Sequence, residues 1–382
     1  MSLDPDVFAA LIDTIERFVR DELQPLEAQV DAEDQVPPAT IEAMRTLGLF
    51  GLTIPEKYGG LGLTAIEEIE VAVRLGHAAP AFRSVFGTNI GIGSQAIVID
   101  GTDEQRAYWL PKLASGEVIA SFCLTEPDSG SDAGSLRTRA EADGEHFMLN
   151  GTKRYITNAP RAGLFTVFAR TDAETKGSKG VSAFLVPADT PGVHTGTPEH
   201  KMGQRGAPVS DVIFDNARLP KDSLIGGTPN HHLGFRTAMR VLDRGRLHIA
   251  AFCAGMSERL VGEMVRFARE RRQFGKAIGE FQLVQAMIAD SHAEAYAATA
   301  MVRDAARRFT AGPATTEVAC AKMFASEALG RIADRAVQVH GGAGYIRDYA
   351  VERLYRDARL FRIYEGTTQI QQLIIARGLL AA

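Results

Sequence analysis

The stretch FRIYEGTTQIQQLIIARG, residues 361–378, holds an acid that could do chemistry. Glu365 lies between Tyr364 and Gly366, just ahead of a helix start and among residues that would otherwise be buried. It is either a solvated acid at a helix N-terminus or a base in an apolar pocket. Thr368 with Gln371 three residues on forms a capping-box pattern, and Ile370, Leu373 and Ile374 give the following helix an apolar stripe. Capping therefore accounts for Thr368 and Gln371 and leaves Glu365 unexplained.

Three further segments carry ligand-binding chemistry. CLTEPDSGSDAGS, residues 123–135, is dense in Ser, Gly, Thr and Asp. It offers hydroxyls and backbone N–H groups to an oxygen-rich ligand, or is a plain surface loop. RFARERRQFGK, residues 266–276, sets Arg266, Arg269, Arg271, Arg272 and Lys276 against Glu270. Composition alone favours a solvated helix end there, where cations suit the helix dipole, over an anion site. QVHGGAGY, residues 338–345, reads as a helix stop with Gly341 at the cap. The spacing G-x-G-x-x-A occurs at Gly60–Ala65 and Gly91–Ala96. Neither copy has the strand–turn–helix context that brings a pyrophosphate to a helix N-terminus, so both read as glycine turns or packing positions. The adjoining His231 and His232 read as a surface loop, and no metal site is expected.

The elements that must position these segments fall into three regions. Helical periodicity dominates residues 1–119, as at Phe8, Leu11, Ile12, Ile15 and Val19. Residues 120–232 change to short alternating runs bounded by Gly, Pro, Asp or Asn, with Asp143-Gly144 as a hairpin signal. Strands without intervening helices imply an antiparallel barrel or sandwich. Residues 233–382 return to longer helices with alanine-rich faces, predicting an antiparallel four-helix bundle. The fold class is thus mainly α with a β insert. A chain of 382 residues, 45% apolar and 23% charged, has ample length for a large core. A net charge of −5 argues against nucleic acid as the default partner. No apolar run approaches the roughly 20 residues that cross a membrane. Cys123, Cys253 and Cys320 are far apart, which suits a reduced compartment, and the N-terminus lacks the sections of a signal peptide. A cytoplasmic protein is expected.

Taken in order, PEKYGGLGL, CLTEPDSGSD, YITN, RRQFGK, QVHGGAGY and IYEGTTQIQ resemble the acyl-CoA dehydrogenase family along nearly the whole chain, from Pro55 to Gln371. The resemblance implies FAD bound between the β region and the bundle, a homotetramer, and electron-transferring flavoprotein as acceptor. It places Phe122, Leu124, Thr125, Gly130 and Ser131 along the flavin, Thr157 at flavin N5 and Tyr155 packed on the ring. Many relatives have tryptophan where this chain has Tyr155. The basic run then becomes an anion site, with Arg271, Gln273 and Phe274 reaching the FAD pyrophosphate of a neighbouring subunit. Gln282, Gln338, Gly341 and Gly342 match further contacts across that interface, and Thr367 and Gln369 match FAD contacts beyond the acid.

In the family reaction a carboxylate takes the α-proton of an acyl-CoA thioester while the β-hydrogen leaves as hydride, giving a trans-2-enoyl-CoA. Glu365 matches that base. A subset of relatives carries it at the position of Gly245 in LDRGRL, where glycine cannot serve. Ser131, Asp243, Arg246 and Gly366 match substrate-side positions, and Arg246 is also placed to pair with Glu365. Two other readings belong to the same motifs. One is an acyl-CoA oxidase-like enzyme, which peroxide formation would reveal. The other is a non-enzymatic, DNA-associated relative, which the acidic charge and the intact Glu365 count against. Acyl-chain preference is left open.

Overall fold

The computed structural model describes residues 2–175, 177–228 and 231–381. Seven helices come first: α1 (Pro5–Arg17), α2 (Gln24–Glu33), α3 (Pro38–Thr46), α4 (Ala65–Leu75), α5 (Pro80–Ile90), α6 (Gln95–Asp100) and α7 (Asp103–Ser115). Local signals set their ends. Asp4 caps α1 through its side chain, Thr64 and Glu67 form a capping box on α4, and Thr102 and Gln105 form another on α7. Pro80 opens α5 at a position that lacks a helical N–H partner anyway.

The middle of the chain forms β1 (Ala120–Cys123), β2 (Arg139–Asp143), β3 (His146–Thr157), β4 (Leu164–Arg170), β5 (Val181–Pro187), β6 (Val193–Thr195) and β7 (Val209–Pro220). These strands make one seven-stranded sheet in which β4 also pairs with β5. Most pairs are antiparallel as the alternation predicts, but β4 runs parallel to the end strand β1 and, at Arg139–Arg170, to β2. The β2–β3 hairpin lies one residue past the Asp-Gly signal. Asp143 pairs with His146, and the turn is Gly144-Glu145 with Gly144 at φ 57°.

The C-terminal region contains α8 (Gly234–Glu270), the short hairpin β8 (Arg272–Gln273) and β9 (Lys276–Ala277), then α9 (Gln282–Ala311), α10 (Thr315–His340), α11 (Ala350–Ala358) and α12 (Thr368–Ala381). Alanines at helical spacing, among them Ala250, Ala254, Ala298, Ala321, Ala325 and Ala336, are buried where α8, α9 and α10 meet. The apolar core does not stop at the sequence regions. Phe18, Phe50 and Phe82 from the first helices belong to one cluster with Phe252, Leu329 and Phe361 of the bundle. A buried carboxylate ties the same two parts. Glu27 accepts hydrogen bonds from Arg259 on α8, from Arg353 on α11 at 2.9 Å and from the Ala79 N–H at 2.7 Å.

The closest approach between the two parts is α4 on α8. A Cβ at Gly255 would stand 1.9 Å from the Val73 carbonyl oxygen, so only glycine lets these backbones touch. Gly255→Ala is expected to lower the unfolding free energy by about 1–3 kcal/mol through overpacking, read from the urea midpoint.

Candidate active site

A cavity of about 840 Å³ opens between α5, the sheet, α8 and the segment before α12. Each wall is held by a local device. The loop after β1 is pinned by Glu126, whose carboxylate accepts from the Arg137 N–H at 2.6 Å, the Thr138 N–H at 2.9 Å and the Lys153 ammonium at 2.7 Å. Lys153 also donates to the Leu124 carbonyl. Burial pushes the Glu126 carboxyl up, but the Lys153 charge and these hydrogen bonds hold it below its ordinary value. Phe122, Leu124, Thr125, Gly130 and Ser131 consequently line the cavity.

Opposite them, a register shift between Lys153 and Ile156 bulges β3 and puts Tyr155 at φ 57°, exposed and facing the cavity. Thr157 follows on the same wall. Asn158, also left-handed at φ 64°, closes the strand and donates to the Ser84 carbonyl at 2.7 Å and the Thr88 hydroxyl at 3.0 Å. That bond fastens the sheet to α5. Of the two glycine patterns, the one at Gly60 is packing, since a Cβ there would meet the Ile54 carbonyl oxygen at 2.0 Å. The other is more than packing, because Gly91 lines the cavity.

Glu365 occupies the remaining wall, on a turn where it and Gly366 both take left-handed backbone, φ 54° and 87°. A non-glycine residue there is costly and must be held by its surroundings. Three side chains do so through the carbonyls. The buried Arg246 donates from Nε to the Glu365 carbonyl at 3.2 Å. Lys322, 0% exposed, donates to the Gly366 carbonyl at 2.7 Å. Gln371 donates to both carbonyls at 3.1 Å. A Cβ at Gly366 would lie 2.6 Å from Gln371 Nε2, so a larger residue there would push aside a donor that holds the turn.

The helix cap differs from expectation. Thr367, not Thr368, caps α12, its hydroxyl accepting from the Ile370 N–H at 3.3 Å. Gln371 is taken by the turn, and the Thr368 hydroxyl donates to Glu327 at 2.6 Å.

The carboxylate itself is left alone. Although the residue as a whole is only half-buried, Oε2 is sealed from solvent and has no hydrogen-bond partner among the described residues. It lies against Gly245, where a Cβ would stand 2.2 Å from Oε2. Burial raises the Glu365 pKa above its ordinary value, against the pull of Arg83, Arg246 and Lys322. The expected Arg246–Glu365 pairing is therefore with the backbone carbonyl, not with the acid. The Arg246 charge goes to Asp243 at 2.7 Å. Asp243, expected on the substrate side, does not line the cavity. It sits behind Arg246 and takes its second hydrogen bond from Thr315 at 2.7 Å.

The remaining expected residues lie outside the cavity. Arg271, Gln273 and Phe274 sit at the β8–β9 hairpin, Gln282 opens α9, and Gln338, Gly341 and Gly342 end α10. Stacking of Phe267 on His340 at 4.2 Å and of Phe274 edge-on to Phe281 draws these to one exposed end of the bundle. Phe274 is 92% exposed there. Thr367 caps α12 and Gln369 lies in its first turn, and neither lines the cavity. Three residues that motif reading passed over belong to the site: Arg83, Lys322 and His248. The signal was available, because Arg83 and Lys322 are lone cations inside otherwise apolar helical runs, FRSVFG and ACAKMFA.

The cavity wall also suits a flavin. The hydroxyls of Thr125, Ser131 and Thr157 make no hydrogen bond to other described residues, a donor set open to an oxygen- and nitrogen-rich ring. A Cβ on Gly130 would meet nothing within 4 Å, leaving backbone accessible.

Comparison with known proteins agrees with this geometry. The chain matches the acyl-CoA dehydrogenase N-terminal domain over residues 7–117, the middle domain over 121–217 and the C-terminal domain over 232–380. It is 38% identical over 377 residues to the mitochondrial short-chain specific acyl-CoA dehydrogenase of Homo sapiens, covering 98% of this chain and 90% of that protein. It is 38% identical over 356 residues to a subunit of the caffeyl-CoA reductase-Etf complex of Acetobacterium woodii, covering 92% of each. The structure superposes on butyryl-CoA dehydrogenase from Megasphaera elsdenii with a TM-score of 0.94, at 31% identity and full coverage of both chains. The chain belongs to the acyl-CoA dehydrogenase family; it is an oxidoreductase, and its cofactor is FAD.

A buried acid with a raised pKa binds more protons folded than unfolded between the two pKa values. Its stabilising contribution is present below the unfolded pKa and lost as pH rises through the folded one. Glu365→Gln is accordingly expected to raise the Tm of the ligand-free protein at pH 8, with the gain shrinking as the pH falls toward 4, in a thermal-melt series.

Proposed function

We propose that the protein removes hydrogen from the α and β carbons of an acyl-CoA thioester to give a trans-2-enoyl-CoA, with Glu365 as the base. The observation that carries this reading is one residue whose carboxylate and backbone N–H are both uncommitted. Glu365 has a carboxylate oxygen without a partner, and its backbone N–H makes no hydrogen bond among the described residues. A carboxylate raised by burial is a better proton acceptor than a solvated one. The α-proton is too weakly acidic for it unless the enolate oxygen is stabilised, and the Glu365 N–H is a free donor for that oxygen. FAD, when bound along Thr125, Tyr155 and Thr157, supplies the acceptor for the β-hydride. Arg246, Lys322 and Gln371 hold the base turn, so that Glu365 need not reorganise as the proton moves.

Electron-transferring flavoprotein is the proposed electron acceptor, in line with the relative that works in an Etf complex. The exposed bundle end carrying Arg271, Gln273, Phe274, Gln282, Gln338, Gly341 and Gly342 is proposed to complete the FAD site of a second copy in a homotetramer. Among the described residues no helix is long and apolar enough to cross a membrane.

Anaerobic mixing of the FAD-loaded protein with an acyl-CoA panel tests the reaction. At least one thioester should bleach the flavin, and Glu365→Gln should slow bleaching by about 10²–10⁴-fold. Normal turnover by that variant would remove Glu365 from the role. Gly245→Ala tests the geometry separately. Its Cβ would displace Oε2, and a loss of about 10²-fold in the bleaching rate is expected at unchanged flavin content.

A further inference from the structure

Arg83 is a cation of the cavity wall whose charge has no use in the chemistry above. It projects from α5, and its Nε donates to His248 Nε2 at 3.0 Å. His248 must then carry its proton on Nδ1, which donates to Glu68 at 3.1 Å, and Glu68 is paired with Arg244 at 2.7 Å. Burial, then the Arg83 charge, keeps His248 below its ordinary pKa, consistent with a neutral ring that accepts. The guanidinium packs against Gly87, where a Cβ would be 2.9 Å from its Cζ and Nε. Its place is therefore prepared by three residues.

Its terminal nitrogens are not satisfied. Neither Nη1 nor Nη2 of Arg83 has a hydrogen-bond partner among the described residues, and neither is sealed from the cavity. No carboxylate of the described residues is within ion-pair distance of it. The other cations near Glu365 are engaged: Arg246 with Asp243, Arg244 with Glu68, and Lys322 with the Gly366 carbonyl. A cation kept partly from water without a counter-charge is unfavourable, so a free fork of N–H donors facing a ligand cavity calls for a ligand oxyanion.

The position also sets a length. Glu365 Oε2 lies against Gly245 and Arg83 is bonded to His248, and these two α8 residues are three apart and neighbours on one helix face. The guanidinium and the proton acceptor therefore approach the same stretch of α8, which leaves room for a short group between them. Of all neighbouring charges, Arg83 also has the largest influence on the Glu365 carboxyl.

We propose that Arg83 is a specificity residue that receives a carboxylate at the far end of a short acyl group, so that the substrate is the CoA thioester of a dicarboxylic acid. The inference rests on Glu365 as base, since the thioester must have its α-carbon there. Loss of hydrogen from the α and β carbons requires at least a four-carbon diacid, and the approach of both groups to one stretch of α8 favours a short one. The reaction is otherwise the one already given, with the terminal carboxylate unchanged.

The test compares succinyl-, glutaryl- and adipyl-CoA with butyryl-, pentanoyl- and hexanoyl-CoA, using flavin bleaching by the FAD-loaded protein. At least one ω-carboxyl thioester should exceed its neutral counterpart in kcat/KM by about 10- to 100-fold, and Arg83→Gln should abolish that ratio, as expected for one charged hydrogen-bonded pair. Arg83→Lys should restore part of the ratio, a recovery that a merely structural role would not give. Calorimetric binding of glutaryl-CoA to Glu365→Gln protein, with and without Arg83→Gln, reads the contact without turnover and should show the same 10- to 100-fold difference. Equal or better use of the neutral thioesters by the unaltered protein, or an equal loss on both series in Arg83→Gln, would overturn the proposal. If no thioester bleaches the flavin, the base assignment fails instead, and the calorimetry alone decides on Arg83.

Discussion

A carboxylate that is to accept a proton from carbon must be denied the partners that would satisfy it. The backbone carrying it must then be held by something else. Much of this structure follows from separating those two demands at Glu365. Its side chain has an oxygen without a hydrogen bond, whereas its carbonyl and that of Gly366 receive donors from Arg246, Lys322 and Gln371. Those donors come from α8, α10 and α12, so the turn is only as well placed as the packing of three helices. Alanine-rich contacts between α8, α9 and α10 make that packing close, and close packing resists small displacements.

The same separation explains the buried charges around the site. Asp243 takes the Arg246 charge and Glu68 takes that of Arg244, so neither cation is paired with the Glu365 carboxylate. Lys322 has no such acid within ion-pair distance among the described residues, and burial brings its pKa down to about 8. Glu126 and Lys153 do a similar service for the loop after β1, turning a mobile-looking Ser/Gly/Asp sequence into a fixed wall. In each case the ion pair positions a neighbour rather than entering the cavity chemistry.

The layout of helices, β insert and helices was legible because it rests on local periodicity and turn residues. The shared core of α1, α4, α5 and the bundle was not, since contacts such as Phe82 with the α8 cluster carry no local signature. Glu365 stood out because capping could not account for it. The frame of the cap itself was misread, as Thr367 and Thr368 are adjacent candidates and only the carbonyls before them reveal where Gln371 goes. Arg83 and Lys322 were missed because motif reading looks for clusters, and each is single on its helix. The role expected of the Arg271–Phe274 segment came from resemblance alone, since its side chains are exposed in this chain.

The contact between Gly245 and the Glu365 carboxylate has an evolutionary side. The two positions share one small volume, so a side chain at residue 245 would push the carboxylate of residue 365 aside. What α8 carries there and where the acid before α12 can rest are therefore coupled, and neither position drifts without the other.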